Sequence, residues 1–262
     1  MTDLKARLAR GEATIGSWMT LGHSGIAEIM VDAGFDWLVV DLEHTAITIR
    51  ETEDLIRTIE LKGCVPLVRL TSNDPDQIKR VMDAGAHGVV VPMVRSATEA
   101  ETAVRAVRYP PAGTRSVGLG RAQGYGPRFA EYAAKINTEA VVLVQIEHVD
   151  SLRNLEEILT VDGVDGSVIG PYDLSGSLGH PGVLDHPDLL SELRRYEEVS
   201  KRVGVPMGYH VVEPDHERVG EMLRRGYSFV AFSADFLFLG EGCRRELGEA
   251  RRRMSEEASA AE

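Results

Sequence analysis

Glu147 and Asp173 each close a short apolar run, 26 positions apart. The first run is Val141-Val142-Leu143-Val144-Gln145-Ile146, and the second is Val168-Ile169-Gly170-Pro171-Tyr172. A carboxylate at the carboxyl end of a buried parallel strand is costly to leave without a partner. Two of them, one strand-helix unit apart, can converge on a single hard cation and leave room for a substrate. That spacing points to a metal-assisted enzyme.

The ends of other apolar runs add Trp18, Asp41, Glu43, His44, Arg69 and Gln145. Each has a plainer explanation when taken alone. His44 could cap the helix that follows it. A guanidinium as apolar in its setting as Arg69 needs an anion, and a salt bridge to Glu43 or Glu147 would satisfy that need. Glu147 and Asp173 could likewise pair with Arg69 and hold no metal. His148, His180, His186, His210 and His216 read as surface or loop residues. The arginines 244–245 and 251–253 read as a solvated helix face.

The elements that must position these residues alternate strictly. Strands are expected at 14–19, 37–41, 65–70, 88–93, 141–147, 166–170, 205–209 and 228–233, all nearly continuous apolar runs of the kind covered on both faces. Helices are expected at 25–32, 49–61, 75–83, 98–107, 151–159, 188–203, 217–225 and from 235 to about 254. Asn73-Asp74-Pro75 and Glu213-Pro214-Asp215 supply cap-and-proline starts. Ala33-Gly34, Ala84-Gly85 and Arg225-Gly226 suit left-handed helix ends. Eight strands alternating with eight helices predict a single (β/α)8 barrel over 1–262. A doubly wound sheet is the runner-up, but no Gly-x-Gly-x-x-Gly follows an early strand. The long Gly-rich connection from Tyr109 to Gly126 suggests a functional loop or a subunit contact.

The chain carries a formal charge of −12 and is 43% hydrophobic and 27% charged. This balance disfavours nucleic acid or an anionic membrane as partner. Residues 255–262 read as a disordered acidic tail. The start of the chain lacks an apolar signal core, and no stretch approaches the roughly 20 apolar residues of a membrane span. Two cysteines, Cys64 and Cys243, have no metal-type spacing and fit a reducing cytoplasm.

Together these residues resemble the HpcH/HpaI aldolase family, the class II pyruvate aldolases of the phosphoenolpyruvate/pyruvate barrel superfamily. The resemblance rests on Gly16-Ser17-Trp18, Asp41-Leu42-Glu43-His44, Pro66-Leu67-Val68-Arg69, Asn73-Asp74-Pro75 with Gln77-Ile78-Lys79, and Val91-Pro92-Met93-Val94. It continues through Arg108-Tyr109-Pro110-Pro111-Ala112-Gly113, Gln145-Ile146-Glu147 and Ile169-Gly170-Pro171-Tyr172-Asp173-Leu174-Ser175. It covers residues 4–250 in one order.

The resemblance implies roles. Glu147 and Asp173 would ligate Mg²⁺, Mn²⁺ or Co²⁺, and Arg69 would bond the 2-keto oxygen. His44 and Asp41 would form the acid/base dyad, and Gln145 would support metal-bound water and pyruvate. Backbone amides near Tyr172 and Asp173 would take the pyruvate carboxylate, with Trp18 and Val211 among the substrate contacts. Asp83 would reach a neighbouring subunit's site in a hexamer, a trimer of dimers exchanging the eighth helix, for which Phe236-Leu237-Phe238-Leu239 supplies an apolar patch. The implied reaction cleaves or forms the C3–C4 bond of a 4-hydroxy-2-oxo acid, giving pyruvate and an aldehyde, as with 4-hydroxy-2-oxoheptanedioate or a 2-keto-3-deoxy sugar acid. Oxaloacetate decarboxylation and citrate-lyase-like action on a CoA thioester would use the same enolate. A barrel that only binds a metabolite is a third reading. No Schiff-base chemistry is implied, since the expected strands contain no lysine. His148 and the 179–183 and 208–212 segments depart from the family pattern, where the aldehyde half would sit.

Overall fold

Eight parallel strands close on themselves in sequence order. They are β1 (Thr14–Met19), β2 (Trp37–Asp41), β3 (Val65–Arg69), β4 (Gly88–Val91), β5 (Val141–Ile146), β6 (Gly166–Ile169), β7 (Met207–Val211) and β8 (Phe229–Ala234). This computed structural model describes residues 4–260. The expected (β/α)8 barrel is therefore what the chain forms.

Side-chain alternation along each strand divides the core in two. Trp37, Val39, Val65, Leu67, Leu143, Val168 and Phe229 point into the barrel and form one buried cluster. Leu38, Val40, Val68, Val142, Val144 and Val230 face the helices in a second cluster. Inside, Trp37 stacks on Phe229 at 3.7 Å between ring centroids, and its indole N–H donates to Thr14 Oγ1 at 3.1 Å. Gly16 makes room for that stack, because a Cβ there would lie 2.0 Å from Trp37.

Twelve helices, not eight, accompany the strands among the described residues: α1 (Leu4–Ala9), α2 (Ser24–Asp32), α3 (Ile49–Leu61), α4 (Pro75–Ala84), α5 (Ala97–Val107), α6 (Phe129–Glu139), α7 (Val149–Arg153), α8 (Leu155–Leu159), α9 (Pro171–Ser177), α10 (Pro187–Val203), α11 (His216–Arg225) and α12 (Asp235–Ala260). The predicted caps hold: Asp74 and Asp215 accept amide bonds at the starts of α4 and α11, and Gly85 and Gly226 take left-handed conformations after them. The single helix expected at 151–159 is two short ones meeting at Asn154. Three helices were not expected. α1 buries Leu4 and Leu8 in the barrel-interior cluster, α6 follows the Gly-rich connection, and α9 begins at Pro171 directly after β6.

The last helix also runs longer than expected. Residues 255–260, expected to be an unstructured tail, continue α12 as exposed turns, with Glu256 paired to Arg252, which also pairs with Glu249 a turn earlier. Opposite charges three and four positions apart support such a helix modestly. Residues 1–3 and 261–262 lie outside the described residues. No described helix is long and apolar enough to cross a membrane. Cys64 is buried, and burial pushes its thiol up to about 12, which leaves it inert.

Candidate active site

Strand alternation carries polar residues into the top of the barrel interior. Asp41 continues the inward set of Trp37 and Val39, and Arg69 that of Val65 and Leu67. The two are partners in the β2–β3 register. Arg69 donates to both oxygens of the buried Asp41 carboxylate, through Nε at 2.8 Å and Nη2 at 2.7 Å. Its Nη1 lies 3.2 Å from Glu43. Burial works against the guanidinium charge, but Asp41, Glu43 and Glu147 more than offset it, so its pKa is raised. The guanidinium also lies 4.3 Å from the centre of the Trp18 ring.

This arrangement corrects one expectation. Asp41 spends its carboxylate on Arg69 and on the Glu43 amide at 2.9 Å, and no hydrogen bond joins it to His44. His44 is exposed and stands 3.8 Å from Glu43 instead. A salt bridge from Arg69 to Glu43, one of the plainer alternatives, is present. The physical reason is register: Arg69 lies directly opposite Asp41 on the neighbouring strand, whereas His44 lies beyond the strand end.

Gln145 and Glu147 continue the inward set of β5. Glu147 is 3% exposed and accepts from the Met93 amide at 2.7 Å and from Gln145 Nε2 at 2.8 Å. Met93 presents that amide from a left-handed φ of 54°, a strained conformation of the kind that gathers at functional sites. Gly170 lets the β6 end approach, because a Cβ there would lie 2.8 Å from Glu147 Oε2. Burial pushes Glu147 up to about 7 against the Met93 bond, with Glu43 and Asp173 adding repulsion. Asp173 itself is exposed at the start of α9 and accepts no hydrogen bond from the described residues. Gly170 makes no side-chain cap there, and the first amides of a helix have no partner inside it. Tyr172 is half exposed at the same turn.

A cavity of roughly 390 Å³ opens beside Arg69, with Trp18, Asp41, His44, His210 and Val212 in its wall. A larger one, roughly 730 Å³, lies at the opposite end, against Val65 and Val141 at the strand starts. Barrel enzymes work at the carboxyl ends of their strands, which favours the smaller cavity.

Residues 14–239 match the HpcH/HpaI aldolase/citrate lyase family. The chain belongs to this family. A 2-dehydro-3,6-dideoxy-6-sulfogluconate aldolase of Pseudomonas putida is 39% identical over 233 residues, 88% of this chain and 90% of that one. A 4-hydroxy-2-oxo-heptane-1,7-dioate aldolase of Shigella sonnei is 40% identical over 239 residues, 90% of each chain. The crystal structure of an HpcH/HpaI aldolase/citrate lyase family protein from Burkholderia cenocepacia J2315 superposes with a TM-score of 0.91 at 33% identity, covering 96% of this chain and all of that one.

In this HpcH/HpaI chain a divalent cation suits the surroundings of Glu147. Gln145 Oε1 is buried without a hydrogen-bond partner. Three carboxylates, Glu43, Glu147 and Asp173, repel one another, with Arg69 the opposing cation. Oxygen donors are also what Mg²⁺ and Mn²⁺ prefer. Among the described residues, the group of His, Cys, Asp and Glu side chains that closes to within 4.8 Å is a different one, His180, His186 and Asp188. His186 Nδ1 there accepts the Asp188 amide as the cap of α10, in keeping with a loop role.

One other expectation changes. Val211 shares the helix-facing side of β7 with Tyr209 and sits in the outer core. His210 and Val212 point inward and line the cavity in its place. Strand parity was the signal: the inward set of β7 is the even-numbered one, so His210 belongs with the site and not with the surface histidines. Asp83 lies on α4 and is held within the chain by Arg115 Nη2 at 2.6 Å and Gln123 Nε2 at 3.1 Å. The long Gly-rich connection thus folds back onto Asp83.

Proposed function

We propose that this chain is a divalent-metal-dependent aldolase that forms and cleaves the C3–C4 bond of 4-hydroxy-2-oxo acids, giving pyruvate and an aldehyde. One observation carries the reading: Glu147, a buried carboxylate with repelling neighbours, shares the barrel rim with an Arg69 fixed by two other carboxylates. Glu147 and Asp173 would hold the cation, which supplies positive charge where the pyruvate enolate develops its own.

The chain's residues do the rest. Of the five guanidinium donors of Arg69, three are spent on Asp41 and Glu43. The remaining two are free to face a keto oxygen, and their carboxylate clamp fixes their direction before substrate arrives. A fixed donor to a developing oxyanion is worth about 10²-fold or more in rate. The unpaired amides at the start of α9, near Tyr172 and Asp173, suit the pyruvate carboxylate. Gln145 Oε1 is positioned to accept from a water beside Glu147. His44, flanked by Glu43 and open to the cavity, would take the C4 hydroxyl proton in cleavage and return it in synthesis.

A homo-oligomer, a hexamer of three dimers, fits the exposed apolar surface. Along α12 only Asp235 is buried, while Phe236, Leu239, Leu247 and Met254 are exposed. Val117, Leu119 and Tyr125 stand exposed in the connection that wraps Asp83, so Asp83 would meet the neighbouring subunit through that loop. The chain's two free thiols suit the cytoplasm.

The test is a screen of 4-hydroxy-2-oxo acids with Mg²⁺, Mn²⁺ or Co²⁺, coupling pyruvate release to a dehydrogenase. Release that needs the cation, and falls more in His44→Ala than pyruvate enolisation does, is the expected result. Carbon dioxide release from oxaloacetate without any aldol cleavage would contradict it.

A further inference from the structure

His210 closes the far end of the cavity. Its Nε2 meets the Ser233 carbonyl at 3.2 Å. Ser233 turns that carbonyl inward from a left-handed φ of 54°, and Ser17 Oγ donates to it at 3.1 Å. A carbonyl can only accept, so the proton sits on Nε2 and Nδ1 is left as an acceptor. Nδ1 makes no hydrogen bond with the described residues. Burial, opposed by the Ser233 bond and reinforced by the Arg69 charge, pushes the ring down to about 4, so it is neutral near pH 7. Trp18 stands opposite, 5.5 Å away between ring centroids, and its indole N–H also lacks a partner.

This end of the cavity therefore carries an unfilled neutral acceptor, with Val212, Ala234 and Leu237 as apolar wall. Arg69 is the only Lys or Arg among the described lining residues, and Asp41 and Glu43 already bind it. A substrate hydroxyl can donate to His210 Nδ1 at the cavity wall. A terminal carboxylate or sulfonate would instead be desolvated near Asp41 with no free cation to receive it.

We infer that the aldehyde half of the substrate is a short hydroxylated aldehyde without a terminal anion, and that His210 selects it by accepting a hydrogen bond from its hydroxyl; this rests on the aldolase reading above. His210 is then a specificity-determining residue.

The experiment compares kcat/KM for pyruvate release from a 2-keto-3-deoxy sugar acid, its analogue lacking the distal hydroxyl, and a 4-hydroxy-2-oxo acid of similar length ending in a carboxylate. The wild-type enzyme is expected to favour the first over both others by about tenfold or more. His210→Leu should reduce that preference to within about threefold, and His210→Gln, which keeps an acceptor, should retain most of it. Because the readout is a ratio on one preparation, partial loss of folded protein does not move it. Pyruvate methyl-proton exchange by the wild type is measured alongside. Exchange with a preference for the carboxylate-ended substrate, or with the same ratio in His210→Leu, overturns the inference and spares the aldolase reading. No exchange with any of the three cations overturns both.

Discussion

Arg69 grips the Asp41 carboxylate with two parallel bonds, at 2.8 and 2.7 Å, from the neighbouring position on the adjacent strand. This pair orients the one guanidinium that the reaction would use, and it accounts for the burial of both charges. Lysine cannot replace it, having a point charge and no fork. Arg69→Lys is expected to lower kcat by about 10²-fold with a modest loss of stability. Arg69→Ala should in addition cost about 3–5 kcal/mol, because it strands Asp41. Steady-state kinetics and urea unfolding check both, and near-normal kcat in the lysine variant would remove Arg69 from the chemistry.

Gly170 gives Glu147 its space. A Cβ there would lie 2.8 Å from Glu147 Oε2 and 2.9 Å from Glu147 Cβ. Gly170→Ala should displace the carboxylate and weaken Mn²⁺ binding by about 10–100-fold, with the barrel intact by circular dichroism. An unchanged Kd by calorimetry would mean that Glu147 is not a ligand.

Glu147 also fixes a pH dependence. Its pKa is about 7 in the folded chain against an ordinary 4.5, so between these values the folded state holds a proton that the unfolded chain has released. The stability linked to this group is therefore full below about 4.5 and falls as pH rises through about 7. A cation on Glu147 must displace that proton. The rise in Tm on adding Mn²⁺ should accordingly grow between about pH 5.5 and about pH 8. A rise that is flat over this interval would point to ligands other than Glu147.

The barrel was legible in the sequence because parallel strands covered on both faces read as continuous apolar runs, and all eight runs became strands. Glu147, Gln145 and Arg69 were legible for the same reason: they close those runs on the inward parity. What stayed hidden depended on partners distant in sequence. Asp41 looked like a partner for His44, three positions on, because the β2–β3 register that brings Arg69 across 28 positions is not written locally. The resemblance points to Val211, but the parity of β7 turns Val211 to the helices and brings His210 to the cavity. α1 is six residues long, too short to show a helical period, and is held by Leu4 and Leu8 packing into the barrel.

In the sequence Asp235 marks only the start of the last helix. It is buried and accepts from the Thr20 amide and hydroxyl, the Leu21 amide and the Phe236 amide, at 2.6–3.1 Å. It thus ties the end of β1, which carries Trp18, to α12. Asp235→Ala leaves these donors unmatched and should cost about 3 kcal/mol in urea unfolding. A loss below about 0.5 kcal/mol, the range of ordinary surface changes, would show the clamp to be dispensable.

The central claim is that Glu147 holds a cation that lets this chain enolise pyruvate. Its most direct test is exchange of the pyruvate methyl protons in deuterated water, followed by mass spectrometry, with no aldehyde present. Exchange is expected with Mg²⁺, Mn²⁺ or Co²⁺, stopped by a chelator and lost in a folded Glu147→Gln variant. Exchange that persists in the chelator or in Glu147→Gln would contradict it.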